Sequence, residues 1–74
     1  MMSALILINC KQSLVQTVKH QIEEIGGLDY LFEVIDTYNL ALKINAVNKE
    51  KLREKVTNII NLHSIQSTLS LIIL

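Results

Sequence analysis

The sequence predicts an α+β fold with elements in the order β-α-β-β-α-β. Three observations predict it. An apolar run of strand character at Ala4–Ile8 is followed by a helical pattern from Ser13 to Ile25. Gly26-Gly27 then separates that helix from a second apolar run. The half from Tyr38 to Leu74, YNLALKINAVNKEKLREKVTNIINLHSIQSTLSLIIL, repeats the grammar as strand, helix, strand and ends on its last strand.

Ala4-Leu5-Ile6-Leu7-Ile8 is continuously apolar, as a central strand covered on both faces must be. Ser13 offers an N-cap, and Gln16 three residues on completes a capping-box pattern. Leu14, Val15, Val18, Ile22 and Ile25 then recur at helical spacing and make one apolar stripe. Glycine tolerates the left-handed conformation common just past a helix C-terminus, so Gly26-Gly27 ends the helix. Leu28 to Ile35 reads as the second strand, with Tyr30, Phe32 and Val34 alternating against Leu31, Glu33 and Ile35. The hairpin falls at Asp36-Thr37. A tight type I′ turn needs positive φ at both central residues, which β-branched Thr37 resists, so a wider loop or a bulge is expected.

Tyr38 to Ala46 is the third strand, with Leu40, Leu42 and Ile44 on one face and Ala41, Lys43 and Asn45 on the other. Asn48 can cap the second helix, whose buried stripe is Leu52, Val56, Ile59 and Ile60 and which frays near Asn61. Ile65 to Leu74 is the fourth strand, with Leu69, Leu71 and Ile73 facing one way and Ile72 and Leu74 the other. Right-handed crossovers place strands one and three side by side in the centre. The expected architecture is ferredoxin-like, a four-stranded antiparallel sheet with two helices on one face. Strands one and four are apolar on both faces, so the uncovered face is partly apolar and reads as an interface. Packing two such faces about 10 Å apart gives a dimeric α/β sandwich.

The 74 residues make one domain, and so small a domain is marginal alone. Half the residues are hydrophobic, yet a single cysteine, Cys10, leaves no internal disulfide and no CxxC metal clamp. Oligomerisation is the remaining support. The formal net charge is zero, which argues against direct nucleic-acid binding, because phosphate neutralisation supplies most of that affinity. The cluster Lys49-Glu50-Lys51-Leu52-Arg53-Glu54-Lys55 mixes signs and reads as a solvated helix face rather than a phosphate-binding patch. No apolar stretch is long enough to span a bilayer, and Met1-Met2-Ser3 lacks a charged leader region. The expectation is a soluble, cytoplasmic chain without membrane association.

With the elements in place, Ser3 to Leu74 resembles the effector-binding domain of Lrp/AsnC regulators, also called RAM, most strongly over Tyr38–Leu74. The carrying segments are TYNLALKINAVNKEKLREKV and SIQSTLSLIIL. The family typically shows a Tyr-Asp strand start, a Glu/Lys-rich helix and a Ser-Thr-x-Thr final strand. In the regulators the domain follows a helix-turn-helix. Here the first strand starts almost at Met1, so residues 1–74 resemble a stand-alone version. The resemblance implies homodimers formed through the sheets and larger rings such as octamers. It also implies a small effector such as an amino acid held between dimers, and co-assembly with a full-length Lrp/AsnC regulator as a route to transcription regulation.

Carried over by position, the effector-site residues are Asp36, Thr37, Tyr38 and Asn39 of the hairpin with Ser67, Thr68 and Ser70 of the last strand. An amino acid needs acceptors for its ammonium and hydroxyl or N–H donors for its carboxylate. The family usually has glycine where Asp36 stands and aspartate where Asn39 stands. Losing that aspartate removes a charge-assisted partner for an ammonium group.

Blander readings stand beside these. Tyr38 can serve as an interface aromatic, and Ser67, Thr68 and Ser70 as strand residues with locally paired hydroxyls. His20, His63 and Cys10 lack metal-ligand spacing, so no metal or other cofactor is expected. Cys10 reads as a strand-end filler rather than a nucleophile. No acid, base and nucleophile constellation is visible, so no catalytic residue and no enzyme is expected. The alternatives are a small dimeric α+β-barrel enzyme, which would need a polar cavity between helices and sheet, and an ACT-like regulatory domain. The glycine-bearing loop of the latter is missing from Asn9-Cys10-Lys11-Gln12.

Overall fold

The computed structural model describes residues 2–34 and 37–73. Strand β1 is Met2–Cys10, followed by a 3-10 turn at Gln12–Leu14 and helix α1, Val15–Ile25. Strands β2, Leu28–Glu33, and β3, Leu40–Ala46, lead to helix α2, Lys49–Ile60, and strand β4, Ile65–Ile73. The sheet order is β2-β3-β1-β4, all neighbours antiparallel, so the expected ferredoxin-like α+β arrangement is the observed one.

The core forms where the two helical stripes meet one face of the sheet. Ala4, Ile6, Ile8 and Cys10 of β1 and Leu40, Leu42, Ile44 and Ala46 of β3 are buried against Val15, Val18 and Ile22 of α1 and Leu52, Val56 and Ile59 of α2. Every described residue that is buried is apolar or the Cys10 thiol. Both glycines take positive φ, +85° at Gly26 and +77° at Gly27. A Cβ on Gly27 would lie 2.6 Å from the Asn45 carbonyl oxygen, so the crossing into β2 requires glycine there. Asn48 caps α2 as expected, its Oδ1 accepting from the Lys51 N–H at 2.9 Å.

Four local findings refine or correct the expectations. Ser13 is not a cap: it sits inside the 3-10 turn, closed by Leu14 N–H to the Lys11 carbonyl at 2.8 Å, and α1 begins only at Val15. Ile60 leaves the buried stripe at 41% exposure, because Ile59 takes the core position and the next residue turns about 100° away from it. Strand β2 ends at Glu33 and β3 begins at Leu40, so Tyr38 precedes the strand rather than starting it. The connection is wider than a two-residue turn, as expected: Val34 N–H bonds the Asn39 carbonyl at 3.0 Å and closes the hairpin.

Among the described residues no helix lies over the other face of the sheet. Its register makes two rows across the four strands: Phe32, Ala41, Leu7 and Leu69, then Tyr30, Lys43, Leu5 and Leu71. Only Lys43 of these is charged, and it pairs with Asp29 at 3.5 Å. Phe32, Leu69 and Leu71 are 57%, 48% and 59% exposed.

Candidate functional site

Of the residues singled out by sequence, Thr37, Tyr38, Asn39, Ser67 and Thr68 lie around one end of the central strand β1. Asp36 falls outside the described residues. Thr37 is exposed and Tyr38 half-buried at the bend of the hairpin. Ser67 stands opposite Asn9 on the helix-free face, whereas Thr68 stands opposite Ile8 on the helix-covered face. Ser70 pairs with Ile6, two rungs further into the sheet, and so stands apart from the hairpin. A register shift between Asn9 and Cys10, whose partners are Ser67 and Ile65, breaks the ladder at this end. Such irregularities re-aim side chains at the start of a strand.

Asn39 organises this end. Its backbone N–H donates to the Ile8 carbonyl at 2.9 Å, continuing the pairing of β1 with β3. Its side-chain amide then reproduces a further rung: Oδ1 accepts from the Cys10 N–H at 3.0 Å, and Nδ2–H donates to the Cys10 carbonyl at 2.7 Å. A carboxylate has the same shape but no donor, so it could make the first of these bonds and not the second. The asparagine that departs from the family pattern is thus the residue type this clamp demands. Sequence reasoning weighed position 39 only for an ammonium partner and missed its bond to Cys10, because nothing local marks a contact across 29 residues.

Cys10 is 4% exposed, and burial pushes its thiol up from the ordinary range, a weak contact of Sγ with Asn39 Oδ1 at 3.7 Å opposing only part of that shift. A thiol held protonated is a poor nucleophile, which supports its reading as a packing residue. Among the described residues no cluster of three or more His, Cys, Asp or Glu side chains could hold a metal ion.

The site therefore consists of a hairpin pinned to β1 by an amide clamp, with hydroxyls of β4 on the far side of the same strand end. Such a group offers hydrogen-bond donors and acceptors.

No family model matches the chain, and no curated protein matches it in sequence. Solved structures do match it. TTHA0845 from Thermus thermophilus is similar at a TM-score of 0.87 and 25% identity, over 100% of this chain and 94% of that one. FFRP-DM1 is similar at a TM-score of 0.89 and 21% identity, each chain covered over 100% of its length. E. coli AsnC is similar at a TM-score of 0.82 and 20% identity, over 99% of this chain but 50% of AsnC. The solved structures with this fold thus include Lrp/AsnC proteins and chains of this chain's own extent, and the fold implied by the sequence resemblance is the one observed.

Proposed function

We propose that this chain is a non-catalytic effector-binding and assembly module of the Lrp/AsnC type. Two copies pack through the helix-free faces of their sheets, and the dimers build a larger ring. A small metabolite such as an amino acid seats between dimers at the hairpin residues Asp36, Thr37, Tyr38 and Asn39 and at Ser67, Thr68 and Ser70. The module acts by co-assembly with a full-length regulator and makes no direct contact with DNA. A ligand favours one assembly only through its differential affinity for it, so seating between dimers makes ring formation the regulated step.

The observation that carries this reading is the apolar helix-free face. Full burial of an exposed Leu or Phe side chain contributes about 1.5–3 kcal/mol, and Leu69, Leu71 and Phe32, each about half exposed in a single chain, would each contribute roughly half of that on entering an interface. The apolar core between helices and sheet argues against the barrel-enzyme alternative, because the buried stripes of α1 and α2 fill the space where a polar cavity would lie. The clamp on Asn39 directs its amide to Cys10, so an ammonium group must find its acceptors elsewhere on the hairpin.

The test is a thermal-shift screen against the standard amino acids, followed by light scattering with each one that stabilises. The reading expects a concentration-dependent rise in melting temperature that Ser67→Ala or Tyr38→Ala reduces, together with a change in assembly size. No stabilisation by any amino acid would remove the effector and leave an assembly module alone.

A further inference from the structure

A second candidate site lies at the opposite end of the sheet from the hairpin. A cavity of about 560 Å³ is lined by the start of β2 (Gly27, Leu28, Asp29), the end of β3 (Asn45, Ala46, Val47) and Lys51 and Lys55 of α2. Spaced four apart, the two lysines lie on one face of the helix.

Lys55 is held in place by the backbone rather than by an anion. Its half-buried ammonium donates to the Gly26 carbonyl at 3.1 Å. An ammonium carries three donors, so two are left over. Among the described residues no carboxylate lies within ion-pair distance of it, whereas the other ion pairs join Lys19 to Glu33, Lys43 to Asp29 and Lys51 to Glu54. The approach of Lys55 also depends on a missing side chain. A Cβ on Gly27 would stand 2.9 Å from Nζ, so glycine leaves the room the ammonium occupies.

Around this cation the walls are largely apolar. Leu28 is half-buried, Ala46 is 7% exposed, and Val47 stands 76% exposed at the rim. Among the described residues the one acidic residue in the lining, Asp29, is engaged with Lys43 at 3.5 Å. Lys51 lies in the first turn of α2, where the helix dipole adds positive potential.

We propose that this cavity binds a small carboxylate with a short aliphatic body, its carboxylate on the Lys55 ammonium, which has no anionic partner among the described residues, with the Lys51 charge at the cavity's edge, and its body against Leu28, Ala46 and Val47. A partly desolvated ammonium without an anionic partner gains a charge-assisted bond when such a ligand arrives, and the aliphatic body removes exposed Val47 surface from water. The two sites occupy opposite ends of the strands and are distinguishable residue by residue.

Amide-resolved NMR of the whole chain with 4-methylpentanoate as the probe tests this. Saturable shifts are expected at Gly27, Asn45 and Val47, with Thr37 and Tyr38 unmoved. The neutral 4-methylpentan-1-ol should bind about tenfold more weakly or worse, since it forgoes the charged hydrogen bonds. Lys55→Met, which keeps the aliphatic stem, should weaken binding to a similar degree. Val47→Asp, at an exposed position that leaves the fold intact, should abolish it by placing a carboxylate at the rim. Absence of saturable shifts, equal binding of the alcohol, or shifts centred on Thr37 and Tyr38 would overturn the assignment. So would undiminished binding by Val47→Asp. Binding of an amino acid at the hairpin is a separate readout, so either site can fail without the other.

Discussion

Asn39→Asp restores the aspartate that the family resemblance expects and removes one hydrogen-bond donor from the clamp. The carboxylate can still accept from the Cys10 N–H, now 3.0 Å from Oδ1. At the other position a donor at 2.7 Å from the Cys10 carbonyl becomes a negatively charged oxygen facing another acceptor. Losing the bond costs about 0.5–1.5 kcal/mol, and leaving a half-buried carbonyl unsatisfied raises the total to roughly 1–3 kcal/mol at neutral pH. With a denaturant slope of about 1 kcal/mol/M for a chain this small, the urea midpoint should fall by about 1–3 M. The pH dependence has a definite sign. A carboxyl that can donate only when protonated binds its proton more tightly in the folded chain than in the unfolded one. Its folded-state value is therefore raised above the ordinary aspartate value of about 3.9. The variant's deficit relative to wild type is then small below about pH 4 and grows as pH rises through the raised value. The assay is urea denaturation of both proteins in parallel at matched concentration from pH 4 to pH 7. An unchanged midpoint at pH 7, or a deficit that grows on acidification, would refute the clamp as the reason for asparagine.

Gly27→Ala should destabilise by about 1–3 kcal/mol in thermal or urea melts, since it combines a strained positive φ with a Cβ 2.6 Å from the Asn45 carbonyl oxygen. Gly26→Ala meets no atom closer than 3.8 Å, so it should cost less, and equal costs would show that steric contact is not the cause. Cys10 should react slowly with a thiol reagent in the folded protein at pH 8 and rapidly in urea, because burial holds its thiol protonated. Since the folded-state value is raised, the stability it confers is complete below the ordinary thiol range of about 8.5 and is lost as pH rises beyond it. Equal reactivity in water and urea would contradict that burial.

Where hydrophobic period and punctuation agree, the elements were legible. The continuous run of β1, the stripe Val15, Val18 and Ile22, and the caps at Gly26-Gly27 and Asn48 all take the forms that their spacing predicts. Ser13 misled because a cap residue and an inward turn of 3-10 helix look alike in sequence, both being polar residues ahead of an apolar stripe. Ile60 misled because a helical stripe can take one or both of two adjacent isoleucines, and the spacing does not say that Ile59 alone, at 0% exposure, fills the core. The helix-free apolar face could be read from β1 and β4, since Leu5 and Leu7 of the one and Leu69 and Leu71 of the other recur on the same side of the sheet. Position 39 could not be read, because its meaning lies in a contact with Cys10, and pairing across distant segments has no local signature. The cavity at Lys55 is hidden for the same reason: it combines two glycines, a strand end and a helix turn that are far apart in the chain.

Assembly through the helix-free sheet face is tested most directly by light scattering after size exclusion at micromolar concentration, with Leu69→Asp run alongside. Wild type should elute with a mass at least twice the 8.4 kDa of one chain, and the aspartate should shift it towards monomer while the far-UV spectrum stays the same. A stable wild-type monomer, or a Leu69→Asp variant that assembles as wild type does, would contradict the account.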